Sequence, residues 1–277
     1  MKRELAEAAK DLAAYIKTLD ENLAELPRPG ARINTAGPVC GKAAAAGRPA
    51  PAGTAPEIPG IPVGGPAAVA DPAQALALLA EKVSACRKCG LGHARLKAVF
   101  GAGNYKAKVV FVGEGPGFQE DHQGEPFVGR SGQLLDKILE TVLGLKRPDV
   151  YIANIVKCHP MKNPENPEAH GNDRPPTTEE MSACRPYLEE QLRYIKPACI
   201  VTLGSVPTKV LLNTDKGIST VRGHWYDYPV ELFGPGHQIK VLPTYHPAAL
   251  LRNPNLKRDT WEDMKMLKSF LETGKIS

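Results

Sequence analysis

The sequence predicts a three-layer α/β/α domain around a central parallel four-stranded sheet, and two observations predict it. Short apolar runs of strand type occur at 108–113 (KVVFVG), 150–156 (VYIANIV), 198–204 (ACIVTLG) and 238–243 (QIKVLP). Helical stretches lie between and after them, at 131–143, 178–194, 205–212 and 258–271. Strands that alternate with helices are joined by crossovers, so they run parallel and the helices cover both faces of the sheet. Ligands of such sheets bind beyond the carboxyl ends of the strands. Chemistry is therefore expected at those ends.

The remaining elements follow in chain order. Over residues 1–26, Leu5, Leu12, Ile16, Leu19 and Leu23 recur at helical spacing opposite Lys, Glu and Asp, which predicts an amphipathic helix. Residues 27–70 turn to Ala, Pro and Gly with few large apolar side chains, too few to offset the entropy of ordering, and read as a flexible linker. Cys40 lies within it and is set aside as a ligand. Asp71 and Pro72 open a helix with an N-cap acid and a first-turn proline, so the globular part is expected over 71–277.

Composition narrows the function. The chain has 277 residues and a formal charge of +5, a mild excess that permits a polyanionic partner. No run of about 18 apolar residues is present, which excludes a spanning helix. The opening MKRELAEAAKDLAAYIK lacks the apolar stretch of a secretory signal. Six cysteines without a tight framework fit a reducing compartment, and a cytoplasmic location is expected.

Cys86 and Cys89 stand two residues apart and are joined later by Cys158 and Cys184. Four thiolates suit tetrahedral zinc or an iron–sulfur cubane, and the spacing does not choose between them. Four unconnected thiols are the plainer alternative. Cys199, inside an apolar strand, reads as core packing. The first strand runs into GEGPG (113–117), whose glycines let backbone approach a ligand while Glu114 presents a carboxylate. PFVGRSGQLLDKIL places Phe127 just before a helix; the second strand ends near Asn154 and the last near His246. Glu114, Asn154 and His246 thus leave three strands at one predicted edge.

Six ordered segments carry a resemblance: GEGPG followed by Glu120 and Asp121, GEPFVGRSGQLLD, NIVKC, ACRPYL at Cys184, VTLG, and HPAALLR. Over roughly Ala73 to the C-terminus the chain resembles the family 4 uracil-DNA glycosylases, which carry an iron–sulfur cluster. The resemblance implies a uracil-DNA glycosylase-like fold, excision of uracil from DNA, and a [4Fe–4S] cluster on Cys86, Cys89, Cys158 and Cys184. It further implies that Glu120 narrows the space beside uracil C5 and so excludes thymine.

The matched residues suit that chemistry. A base inside a duplex must be rotated out before its glycosidic bond is reached. Phe127 offers a ring for it to stack on, although a Phe before a helix also serves as a hydrophobic staple. Asn154 pairs a donor with an acceptor, as neighbouring N3–H and O4 groups require, whereas cytosine presents the reverse pattern. His246 is expected to donate to O2 as negative charge gathers there. Glu114, assisted by the main chain of Gly115, is expected to orient water or steady the sugar cation. Leu250, Leu251 and Arg252 are expected to enter the helix gap and touch the backbone. Arg87, Lys88, Arg95, Lys97, Lys106, Lys108 and Lys157 form a candidate phosphate track around the cysteines.

Two features depart from the family pattern. The segment 159–183 between Cys158 and Cys184 is long, rich in Pro and Asn, and holds His159 and His170. It lacks the arginine-rich insert of the related branch with a covalent histidine, so that activity is not carried over. The N-terminal helix and linker are the second departure, and a tether for a replication or repair protein is one use for them. Rival readings are a non-catalytic iron–sulfur DNA-binding module, a zinc-stapled nucleotide-binding domain, and a related glycosylase with broader deaminated-base specificity.

Overall fold

The computed structural model describes residues 71–229, 232 and 238–276. The helix expected over 1–26, the linker over 27–70 and Cys40 lie outside them.

Asp71 caps the first helix, α1 (Pro72–Ser84), by accepting the Ala73 amide at 3.1 Å, and Ala75, Leu76, Leu79 and Val83 form its buried stripe. A short helix α2 (Leu91–Ala94) follows the first cysteine pair. Next come β1 (Ala102–Gly103), β2 (Val109–Gly113), α3 (Phe118–Gln123) and α4 (Arg130–Ile138). Helix α4 widens into a π-helical turn, Leu139–Leu143, and a 3-10 turn at Arg147–Asp149 leads into β3 (Tyr151–Asn154). The long helix α5 (Thr178–Ile195) opens with a capping box, Thr177 and Glu180 each accepting the other's amide. Then follow β4 (Cys199–Leu203), α6 (Ser205–Leu212), α7 (Ile218–Val221), β5 (Tyr226–Asp227), β6 (Lys240–Thr244), α8 (Pro247–Arg252) and α9 (Lys257–Thr273).

The sheet order is β1-β3-β2-β4-β6-β5. Its four central strands are parallel, as the alternation of strand and helix requires, and the two-residue edges β1 and β5 add antiparallel. The expected four-stranded sheet is thus extended by one short strand on each side. Two residues carry no readable periodicity, which is why the sequence did not disclose them.

Alternation along the strands divides the core. Val110 and Val112 face the layer of α1 and α5, beside Leu79, Leu188 and Leu192. Val109 and Phe111 face the layer of α4 and α9, beside Leu135, Ile138, Met264 and Leu267. Register sets Gly113 opposite Asn154 and Leu203 opposite Thr244, so the carboxyl ends of the four parallel strands finish level. That levelled edge is the floor of the site.

Phe111 is fully buried on the central strand. Phe111→Ala is expected to cost about 3–5 kcal/mol through lost burial and the cavity left behind. A lowered urea midpoint with an unchanged slope is the measurement that checks it.

Candidate active site

A cleft of about 480 Å³ opens over the levelled strand ends, and Glu114, Gly115, Glu120, Phe127, Asn154 and His246 all line it. The structure therefore brings together the residues that the sequence placed on separate loops.

Asn154 ends β3 and is 2 % exposed, and its Oδ1 is buried without a hydrogen-bond partner. An orphaned acceptor of this kind costs about 1–3 kcal/mol, which a ligand donor would recover. A Cβ on Gly113 would collide with that Oδ1 and come within 2.7 Å of the Phe127 ring, so only glycine fits there. His246 caps α8, and its Nδ1 accepts the Ala248 amide at 3.1 Å. An accepting Nδ1 leaves the single proton of a neutral imidazole on Nε2, ready to be donated. Burial, helped by the Arg252 charge, lowers His246 to about 4 and keeps the ring neutral. Burial also raises the Glu114 carboxyl above its ordinary value.

Phe127 packs with its ring 5.5 Å from that of His246. Its backbone is left-handed, with φ 55°, a conformation that costs a non-glycine residue roughly 1–3 kcal/mol. Glu120 lines the cleft, but its oxygens are engaged with backbone. Oε2 accepts the Gly117 amide at 3.2 Å, and Oε1 accepts those of Val128 and Gly129 at 3.0 Å each. This carboxylate joins the glycine-rich loop to the Phe127 loop, a role that its sequence position does not reveal.

Three expectations change. Leu250 is fully buried in the core, where α8 packs on α4, and is not free to touch DNA, whereas Leu251 is half-buried and Arg252 is exposed on the cleft wall. Lys157 is buried rather than part of a surface track. Its Nζ donates to the Asn154 carbonyl at 2.9 Å and to Gln191 Oε1 at 2.6 Å, and burial lowers its ammonium to about 8. Arg95 is half-buried and turns inward, donating to Cys158 Sγ at 3.1 Å and to the Cys86 carbonyl at 3.0 Å. Arg87, Lys88, Lys97, Lys106 and Lys108 remain exposed.

Cys86, Cys89, Cys158 and Cys184 surround one small space together with Lys88, Arg95, Lys157 and Tyr187. Backbone and guanidinium donors point at the sulfurs; besides Arg95, the Lys157 amide lies 3.3 Å from Cys184 Sγ and the Lys88 amide 3.5 Å from Cys86 Sγ. Burial pushes the Cys158 thiol up to about 11, with Arg95 opposing. Among the described residues, no three His, Cys, Asp or Glu side chains close round a single ion. Cys199 is buried in the core, as expected.

The long segment after Cys158 is folded back on itself. Met161 bridges Asp173, the Lys162 amide donates to the Asn172 carbonyl at 2.8 Å, and Asn172 Nδ2 donates to the carbonyls of Asn163 and Asn166. Buried His159 holds Asp173 at 2.7 Å, while exposed His170 stacks on Phe118 at 4.5 Å. Asp173 and Arg174 return to the cleft wall, a placement the sequence did not signal.

The model of the uracil DNA glycosylase superfamily matches residues 100–265, which include the strand ends that line this cleft. The chain is 41% identical over 206 residues to the type-4 uracil-DNA glycosylase of Saccharolobus solfataricus, covering 73% of this chain and 89% of that one. It is 42% identical to the type-4 enzyme of Sulfurisphaera tokodaii, covering 70% and 84%, and 41% identical to that of Thermotoga maritima, covering 70% and 94%. The chain belongs to the type-4 uracil-DNA glycosylase family.

Glu120→Ala is expected to strand three amides and to destabilise the fold by about 1–3 kcal/mol. Glu120→Gln, which keeps an acceptor, should lose less. Urea unfolding of the two variants side by side tests the difference.

Proposed function

We propose that the protein excises uracil from DNA, hydrolysing the N-glycosidic bond of a rotated-out nucleotide to release free uracil and leave an abasic site for base excision repair. The unpartnered Oδ1 of Asn154, buried in the cleft that His246 shares, carries the reading. Uracil answers it with N3–H while O4 accepts from the amide nitrogen; cytosine, with an unprotonated N3, leaves the oxygen orphaned. Phe127 stacks against the base, and Glu120 narrows the wall beside it. As the bond to the sugar breaks, the electron pair moves onto the base, and Nε2–H of His246 donates to O2. The interaction strengthens as that charge grows, so it favours the transition state over bound substrate. Glu114, with the backbone of Gly115, orients the water whose oxygen bonds the sugar carbon. Half-buried Leu251 and cleft-wall Arg252, with the exposed lysines near the cysteines, meet the DNA backbone.

Cys86, Cys89, Cys158 and Cys184 hold a [4Fe–4S] cluster in this reading. The four sulfurs line one common space, a thiolate set of the kind that holds a [4Fe–4S] cluster. Their thiolates would bind its irons, and such a cluster would tie the chain after α1, after β3 and within α5 together. Among the described residues no helix is long and apolar enough to cross a membrane. A cytoplasmic location and a tether for a repair or replication protein in residues 1–26 complete the proposal.

Oligonucleotides carrying U, T or hypoxanthine, run beside an iron and sulfide determination, test the whole reading. Uracil release without added metal is expected, together with about four irons per chain. A folded, brown protein that leaves uracil attached would overturn it. His246→Ala should slow release by about 100- to 1000-fold, as loss of an oxyanion donor does.

The pH profile gives a separate check. Glu114 acts ionised, so activity is lost as pH falls through its raised pKa, on an acid limb above the ordinary carboxylate value of 4.5. His246 stays neutral above about 4, so no inflection is expected near the ordinary imidazole value of 6.5.

A further inference from the structure

The left-handed backbone of Phe127 is held by charged groups on both flanking sides. On the carbonyl side, Arg147 Nη1 donates to the Pro126 carbonyl at 2.9 Å and Nη2 donates to the Phe127 carbonyl. Nε of the same guanidinium donates to Asp136 Oδ1 at 2.6 Å, which aims the fork from α4. On the amide side, Glu120 takes the next two N–H groups, Val128 and Gly129. Gly132 lies beneath, so close that any Cβ there would overlap the Phe127 carbonyl.

Arg147 does not line the cleft, and its three donors all point at this loop or its anchor. We propose that Arg147, oriented by Asp136, is a positioning residue for base stacking: its guanidinium fixes the strained peptide of Phe127 so that the ring stands ready before the base arrives. The inference rests on the stacking role assigned to Phe127. A planar fork that serves two carbonyls and a carboxylate at once has no equivalent in lysine, whose ammonium is a point charge on a flexible stem.

A double-mutant cycle on the full chain tests this, with single-turnover uracil release measured for the starting protein, Phe127→Ala, Arg147→Met and the double variant. Arg147→Met is expected to slow release about 10-fold when Phe127 is present and less than about twofold when it is absent, the coupling of residues that act as a unit. Arg147→Lys, which preserves charge and folds under milder strain, should show most of the same loss. Inhibition by free uracil should weaken with the rate, while affinity for uracil-free DNA stays unchanged. Equal losses in both backgrounds, or an Arg147→Lys variant with full activity, would overturn the positioning role. A Phe127→Ala variant as active as the starting protein would instead remove the stacking reading, and the role of Arg147 with it.

Discussion

The close approach of three chain segments at Gly113 is the constraint on which the site depends. There the last residue of β2 faces Asn154 across the sheet, and no room remains for a side chain between the Asn154 oxygen and the Phe127 ring. Gly113 and Asn154 pair with each other at the ends of two parallel strands, so the ladder holds both backbones in place. The Asn154 amide and the backbone under the Phe127 ring are thus set by the register of the sheet itself. What loops supply, the sheet cannot hold, and so the loops carry their own clamps. Glu120 binds the Phe127 loop to the Gly117 turn, and His159 binds the folded segment after Cys158 to the cleft wall through Asp173.

Burial acts on Glu114 and His246 in a single direction, toward neutrality. It lifts the Glu114 carboxyl and lowers the His246 imidazole. For His246 that result suits a hydrogen-bond donor to a departing base, since a neutral ring with its proton fixed on Nε2 offers a dipole without a charge to neutralise on every encounter. The Ala248 amide fixes this tautomer, and it belongs to the turn that starts α8. A loop histidine becomes a directed donor through local backbone geometry alone. For Glu114 burial opposes the ionised form, and the cation that develops on the sugar would favour it. The two groups thus fit a reaction whose charges appear together, negative on the base and positive on the sugar.

How much of this was legible varied with the range of the interaction. The helix at 205–212 and the strand at 109–113 follow from patterns within the segments themselves, and the structure places them within a residue of the expected bounds. Asp71 and Pro72 announced α1 because capping is local chemistry. Leu250 and Leu251 are adjacent and chemically identical, and only the packing of α8 on α4 decides which is core. Lys157 reads as surface charge until β3 and α5 bury it, and Arg147 carries no motif at all. Its task depends on a loop twenty residues earlier folding back against the turn that carries it. Contacts of that kind are written in no local pattern.

The strand end at β3 also explains why four cysteines belong where they do. Only three residues lie between Asn154 and Cys158. Between them Lys157 is buried, its ammonium on the Asn154 carbonyl and its amide toward Cys184 Sγ. A cation there is costly without negative partners, and Cys158 and Cys184 both favour its charged form. The four cysteines and Asn154 are thus linked through one buried lysine. Lys157 thereby ties the end of β3 to α5, through its ammonium on Gln191 and its amide at Cys184.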